Sequence, residues 1–544
     1  MTTVGDVVQR LLPEGTRPNS YRWRRCPQWP PDVFAVATTL LERTGIYAHE
    51  RYSGRSGGGG LFGPAYRRRV ADNGRRWRAN IGVPRDVQRA WRTVAAAWNV
   101  PLEAIGSRAG AFWDDVFRLA ASADEASEGL GFAHPDASPI ADLVVFAYRE
   151  YARGGPPLLP AVPWSVAWLV PASEACVQPK TRTSQVGCTI RCLSHHLALL
   201  PPASDAKAAW FAVWQPSDEE RPLNLLLVPF PYRIAGSAFV AGGDIDDAGS
   251  SSSHFRVAQT WLRSSRSSLS AFIARLVREA EREVGRVHGI VLPELAIDHR
   301  TALALGRRFR RRGLDLFVAG VVEPPTRRGG PPRNAIVARG YRGRVGWVQA
   351  KHHRWKLDGR QIRRYHLGHV LDPGRSWWEE IDVARRELHF AVFRPGASVC
   401  ALVCEDLARA DPVQPVVRAI GPNLVIALLM DGPQTESRWP GQYAGVLSDD
   451  PGSSVLTLTS LGFLRRSVAP GEDEPREVAL WKDSRSGAKA LRLPDGAHAL
   501  CLCINTASVT NWSLDGRSDG GGTIDLSLGA VRAIRHPSPP VWAT

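Results

Sequence analysis

From about residue 222 the chain settles into a pattern that constrains its fold more than any other feature. Short apolar runs alternate with segments of helical spacing. "LNLLLVPFPYRI" is a buried-strand type of run, and "FRVAQTWL" is strand-like. "SLSAFIARLVREAEREVGRV" is amphipathic, with serines at its start and a glycine near its end, which predicts a helix. "GIVLPEL" predicts the next strand, "HRTALALGRRFRRRG" a helix with a basic last turn and a Gly stop, and "LDLFVAGVV" a further strand. Alternation of this kind predicts an α/β layered domain. "NAIVARG", "RVGWVQAK", "ELHFAVFR", "SVCALVCE", "NLVIALLM" and "SSVLTLTSLG" extend the strand set with fewer helices between them.

Residues 1–215 read differently. "DVFAVATTLLERTG", "PRDVQRAWRTVAAAWNV" and "PIADLVVFAYREYARGG" carry apolar residues at helical spacing, and "SGRSGGGGLFGPAYRRR" reads as a Gly-rich basic loop. A Pro-rich crossing, "GGPPLLPAVPW", leads into a mixed stretch containing "VGCTIRCLSHHLALLPP". The expectation is an Arg- and Trp-rich, mainly helical region over 1–215 and an α/β domain over 216–535. A chain of 544 residues exceeds one ordinary core, which agrees with at least two units.

Charge narrows the partners. The formal charge is +16, and only six lysines stand against 63 arginines. Such a balance admits a nucleic-acid or other polyanionic partner without requiring one. The eight cysteines are dispersed, which argues for a reducing compartment rather than a disulfide scaffold. The amino terminus lacks a signal-peptide pattern, and no apolar run reaches membrane-spanning length. A cytoplasmic protein without a membrane partner is the expectation.

Three strand ends carry candidate chemistry. "GIVLPEL" brings Glu294 to the carboxyl end of a strand, where α/β folds place their ligands. "GWVQAKHHRWKL" does the same for Lys351, with Lys356 five residues on. A lysine is a compact charge whose affinity for protons shifts readily, unlike arginine. "ALVCEDLAR" ends on Cys404 against Glu405 and Asp406. Alone, the glutamate reads as a solvated loop residue, the lysine as an exposed cation, and the cysteine as a small buried hydrophobe. Together they form an ordered Glu, Lys, Cys set 57 and 53 residues apart. A cysteine nucleophile needs thiolate character, which a base or a cation supplies.

That set resembles the carbon–nitrogen hydrolase (nitrilase) superfamily, whose triad is Glu, Lys, Cys in this chain order. "VLPEL", "VQAKHH" and "LVCEDLA" are similar to its three motifs, the last most like the glutaminase domains of NAD synthetases. The order of elements after the cysteine also fits, so the resemblance covers about residues 222–535. It implies a four-layer αββα sandwich and hydrolysis of an amide or nitrile through Glu294, Lys351 and Cys404. The backbone N–H of Glu405 would join Lys351 in holding the oxyanion, with Asp406 fixing the turn. It implies no cofactor and no metal, and a homo-oligomer. The sequence departs from the pattern at Ala408, where the family carries Arg or Trp. It shows no evident second glutamate after the lysine, although Asp358 or Gln361 stands near. Lys356 is the alternative to Lys351, which directly ends its strand. A different class of function also fits the charge: a nucleotide- or nucleic-acid-binding effector built on the same fold.

Other motifs have plainer readings. Cys188, Cys192, His195 and His196 lack zinc-site spacing. Cys501 and Cys503 alternate on a strand and share one face, expected to be core. "LSDDPG" reads as a helix-to-strand loop, and "RRFRRRG" equally as a phosphate grip or as a solvated helix end whose cations favour the dipole.

Overall fold

A computed structural model describes residues 2–13, 23–49, 52, 61–80, 82–105, 110–132, 161–202, 207–212, 222–242, 252–310, 314–325, 327–340, 345–384, 386–469 and 471–544. It is a mixed α/β molecule built on two large sheets. The helix expected over "PIADLVVFAYREYARGG" lies outside the described residues.

The first sheet has seven strands in the order Val345–Ala350, Arg333–Gly340, Leu316–Glu323, Gly289–Asp298, Leu223–Leu227, Ala499–Val509, Thr523–Ile534. Its three central strands run parallel and the flanking pairs antiparallel. Helices Leu262–Val284 and His299–Arg310 pack against it. The first ends at Gly285, whose φ of 77° is a conformation that glycine adopts without a Cβ penalty. The second sheet has eight strands: Ala161–Pro163, Lys207–Ala212, Glu387–Arg394, Ala397–Val403, Leu424–Leu428, Ser454–Leu458, Glu477–Lys482, Lys489–Arg492. Ala397–Val403, Leu424–Leu428 and Ser454–Leu458 are parallel, and every residue in them is buried. Largely apolar runs are what strands covered on both faces require, and the polar exceptions Ser398, Ser454 and Thr457 are hydrogen-bonded.

The inner faces of the two sheets share one apolar core. Ile290, Leu292, Val318 and Ile336 from the first meet Val399, Ala401, Ile426 and Leu456 from the second. The other face of the second sheet, carrying Phe390, Val392, Cys400, Leu402 and Val425, packs into a second core. That core is filled largely by the amino-terminal helices, through Val33, Phe34, Trp91, Trp113 and Phe117, and by Val416 and Val417 of helix Val413–Ile420.

The sequence within 1–215 therefore does two things. Its helices cover the second sheet, and its strands Ala161–Pro163 and Lys207–Ala212 extend that sheet, the latter running parallel to Glu387–Arg394. A buried charge cluster ties the two ends of the chain together. Asp124 accepts the backbone N–H groups of His195, His196 and Leu197, and Arg517 reaches Asp124, Glu125 and Asp515. The stretch "GPAYRRR", expected as loop, opens helix Pro64–Asn80 instead. Pro64 stands at its first position, where the missing N–H costs nothing, and Tyr66, Val70 and Trp77 form its buried side.

A third, four-stranded sheet stands apart from these two. Its order is Lys356–Leu357, Ser376–Glu379, Ser252–Val257, Phe239–Ala241. It delivers one residue to the site described next.

Candidate active site

Glu294, Lys351 and Cys404 come from three different strand segments and meet in the interior. Their exposures are 2%, 1% and 6%. Glu294 does not end its strand. The strand runs on to Asp298, but its register with Leu316–Glu323 breaks between Leu292 and Ile297. That irregularity, with Leu295 at φ 53°, turns Glu294 out of the ladder. Gly320 faces the break, and a Cβ there would stand 2.2 Å from the Pro293 carbonyl oxygen and 2.5 Å from the Cα of Glu294.

Lys351 directly follows strand Val345–Ala350, and its backbone N–H donates to the carbonyl of Asn334. Its Nζ donates to Oε1 of Glu294 at 2.9 Å and to Oε2 of Glu379 at 2.7 Å. Asn334 doubles the link: its Nδ2 donates to Oε1 of Glu294 at 2.7 Å and to Oε1 of Glu379 at 2.8 Å. The backbone N–H of Met430 donates to the other Glu294 oxygen at 2.6 Å, and that of Trp355 to Oε2 of Glu379 at 3.1 Å. Two carboxylates, one ammonium and one carboxamide thus form a closed buried ring.

Cys404 stands immediately after strand Ala397–Val403, at φ 48°. A cysteine has no glycine-like freedom there, so the surrounding fold holds the strain. Residues Cys404–Leu407 form one short 3-10 turn. Asp406 in that turn accepts the backbone N–H of His352 through both oxygens, at 3.0 and 3.2 Å, and meets Nδ1 of His353 at 2.9 Å. The cysteine turn is thereby bolted to the segment that carries Lys351. Glu405 pairs with Arg409 instead, four residues on.

The electrostatics follow from burial. Burial pushes the Cys404 thiol well above its ordinary range, and Glu294 adds to this while Lys351 opposes it. The resting side chain is therefore held as a thiol. Burial also raises the Glu294 carboxyl, against Lys351, with Glu379 adding to the rise. A carboxylate with raised proton affinity is a better proton acceptor. Burial alone would strip the Lys351 ammonium, but Glu294 and Glu379 outweigh it and hold the cation well above its usual value.

Several residues of this site were not legible in the sequence. Glu379, 28 residues after Lys351, stands at the end of a strand in the four-stranded sheet. Its only signal is the alternating burial that "SWWE" implies. Asp358 and Gln361, the nearer candidates, form the capping box of the short helix Gly359–Arg364. Asn334 gave no signal. Lys356 is exposed and lies over the Trp378 ring, 5.2 Å from its centroid. Trp355 leads an aromatic wall beside the ring of charges, touching Phe239, Phe255, Tyr365 and Phe463.

The remaining candidates lie elsewhere. Among the described residues no group of three or more His, Cys, Asp or Glu could hold a metal ion. Cys188 and Cys192 donate to backbone carbonyls, and His195 bonds Thr183. Cys501 is buried and Cys503 only partly so. Asp450 is held by Ser184, Arg191 and Arg418. Arg311, Arg312 and Gly313 of "RRFRRRG" lie outside the described residues. No described helix is long and apolar enough to cross a membrane.

No family model matches the chain, and no curated protein matches it. Solved structures do. An amidase from Nesterenkonia sp. AN1, described as from the nitrilase superfamily, aligns over 52% of this chain and 94% of its own at 13% identity and a TM-score of 0.31. Its solved neighbours include nitrilase-superfamily amidases. A variant of the same amidase, 12% identical over 49% of this chain and 84% of its own at a TM-score of 0.29, carries the acetamide moiety of fluoroacetamide on its active-site cysteine. A glutamine-dependent NAD+ synthetase from Acinetobacter baumannii covers 50% of this chain and 44% of its own, at 13% identity and a TM-score of 0.32.

Proposed function

We propose that the chain hydrolyses a non-peptide carbon–nitrogen bond, in an amide or a nitrile, through Glu294, Lys351 and Cys404. One observation carries the reading. A buried lysine held by two carboxylates, one of them Glu294, is linked through the Asp406–His352 contact to a cysteine in a strained strand-end turn. A core cysteine needs none of this apparatus.

On an amide, Glu294 takes the Sγ proton as Cys404 attacks the carbonyl carbon. The tetrahedral oxyanion is met by the Lys351 ammonium and the backbone N–H of Glu405. Glu294 then gives its proton to the departing nitrogen, and ammonia or an amine leaves a thioester on Cys404. Water enters, Glu294 removes its proton, and attack on the thioester frees the acid and restores the thiol. Glu379 and Asn334 touch no reacting atom in this scheme. They position Glu294 and Lys351, and Asp406 positions the turn.

The residue layers support the four-layer αββα arrangement for 216–535, with the helices of 1–215 as an added cover over the second sheet. The reading takes a small amide or nitrile as partner and carries with it the expectations of a cytoplasmic enzyme and a homo-oligomer. The test is ammonia release from amide and nitrile libraries, with mass spectrometry of the Cys404 peptide. A covalent adduct on Cys404, and loss of release in folded Cys404→Ala, are the expected results. Full activity in that variant would sink the proposal.

A further inference from the structure

One buried carboxylate beside this site has work that the mechanism does not use. Asp431 follows Met430, whose N–H holds Glu294, so its backbone lies one residue from the catalytic base. Its main chain is fixed by Thr459, whose hydroxyl donates to the Asp431 carbonyl at 2.7 Å. Its Oδ1 accepts Nη2 of Arg438 at 2.8 Å. Its Oδ2 is buried and has no hydrogen-bond partner, and neither does the buried Nη1 of Arg438. Only 7% of Asp431 is exposed. Its charge is felt both by Cys404 and by Tyr365, which lies on the aromatic wall.

A buried carboxylate oxygen without a donor is costly, because the desolvation it suffers is not repaid. Natural cores retain such groups where a ligand completes them. Arg438 satisfies half of the carboxylate and leaves the other half an acceptor. The carboxylate answers the charge of Arg438 through Oδ1 alone, so the pairing leaves Oδ2 free for a further donor.

We infer that Asp431 is a specificity-determining residue of the proposed hydrolase, selecting substrates that present an N–H donor next to the scissile carbon. The donor is an ammonium or the N–H of a second amide. Both complete Oδ2, and the ammonium also answers its charge. The inference rests on Cys404 as the nucleophile and names the class of group its substrate carries.

The test needs no substrate. Three methanethiosulfonates of similar size, bearing an aminoethyl, a sulfonatoethyl or a neutral alkyl group, are reacted with the full chain. The Cys404 thiolate attacks the thio sulfur, a mixed disulfide forms, and methanesulfinate leaves with the electron pair. Peptide mass spectrometry then reads the rate at Cys404 apart from the other cysteines. The wild type is expected to favour the aminoethyl over the sulfonatoethyl reagent. Asp431→Asn, nearly isosteric, is expected to lower that ratio on the order of a hundredfold, because a unit charge ~10 Å away at an effective dielectric of about 20 shifts each reagent about tenfold, in opposite directions. Arg438→Gln is expected to raise it, which separates a charge effect from a folding defect. Labelling of Cys404 at the same ratio in all three proteins would overturn this inference alone. No labelling of Cys404 by any reagent would overturn it together with the nucleophile assignment.

Discussion

Asp406 accepts the backbone N–H of His352 through both of its carboxylate oxygens, at 3.0 and 3.2 Å. One residue lies two positions after the cysteine and the other directly after the lysine. The spacing between Cys404 and Lys351 is therefore held by a contact that involves neither side chain. Asp406→Ala leaves the His352 N–H buried without an acceptor, which costs about 1–3 kcal/mol. The expected outcome is a lowered melting temperature together with a fall in kcat larger than the change in KM. Asp406→Asn retains an acceptor and should recover most of the stability. Thermal melts and steady-state rates on the two variants check this, and equal losses in both would contradict it.

The Glu379–Lys351 pair makes a prediction about pH. Glu294 is raised by burial first, and Glu379 adds to the rise. As a base Glu294 must be unprotonated, so kcat/KM falls as pH drops through its raised value. Glu379→Gln removes a negative charge and lowers that value, so the acid limb moves to lower pH. The same variant removes one of two carboxylates that hold the Lys351 ammonium. The raised lysine contributes stability that is fully present below its unfolded value and is lost only as pH climbs through its folded one. The variant should lose that contribution at neutral pH. The check is a pH–rate profile alongside melting curves. An acid limb that stays in place would mean that Glu294 is not the titrating base.

How much of this was written in the sequence differs residue by residue. Glu294, Lys351 and Cys404 were legible because each follows an apolar run on a strand of a large sheet, and the runs can be read locally. Glu379 was not. It arrives from a separate sheet whose strands are short and whose partner strand Ser252–Val257 lies more than a hundred residues earlier. Asn334 was not, because a carboxamide at the start of "NAIVARG" looks like any strand boundary. The cover formed by the amino-terminal helices was not either. It depends on pairing between Lys207–Ala212 and Glu387–Arg394, across a separation that no local periodicity reports. The strand was read as stopping at Glu294 because Pro293 and Glu294 break its apolar run, whereas the strand continues to Asp298.

Asn334 supplies the opposite sign to Glu379. Its Nδ2 donates to Glu294 and favours the ionised carboxylate. Asn334→Ala withdraws that donor and should raise the proton affinity of Glu294 further, moving the acid limb of kcat/KM to higher pH. Glu379→Gln moves it down. A purely structural role for both residues would lower the whole profile without displacing its limb. The two profiles, measured on one substrate at one ionic strength, separate positioning from stability.

Gly320 tests whether the bend at Glu294 is required. Nothing about its own backbone demands glycine; the demand comes from the neighbouring strand, which brings the Pro293 carbonyl to 2.2 Å and the Leu295 nitrogen to 2.7 Å of where a Cβ would stand. These are backbone atoms, so no side-chain rotation relieves the clash. Gly320→Ala must push apart strands Leu316–Glu323 and Gly289–Asp298 at the point where the second presents its carboxylate. Overpacking of this kind costs about 1–3 kcal/mol. The displacement also weakens the contact between Glu294 and the Met430 N–H, so kcat should fall well beyond what the loss of folded protein explains. Activity per folded molecule, from rates normalised to the native fraction by circular dichroism, is the measurement. If that normalised rate matches the wild type, the close approach at Gly320 serves packing alone and not the placement of the base.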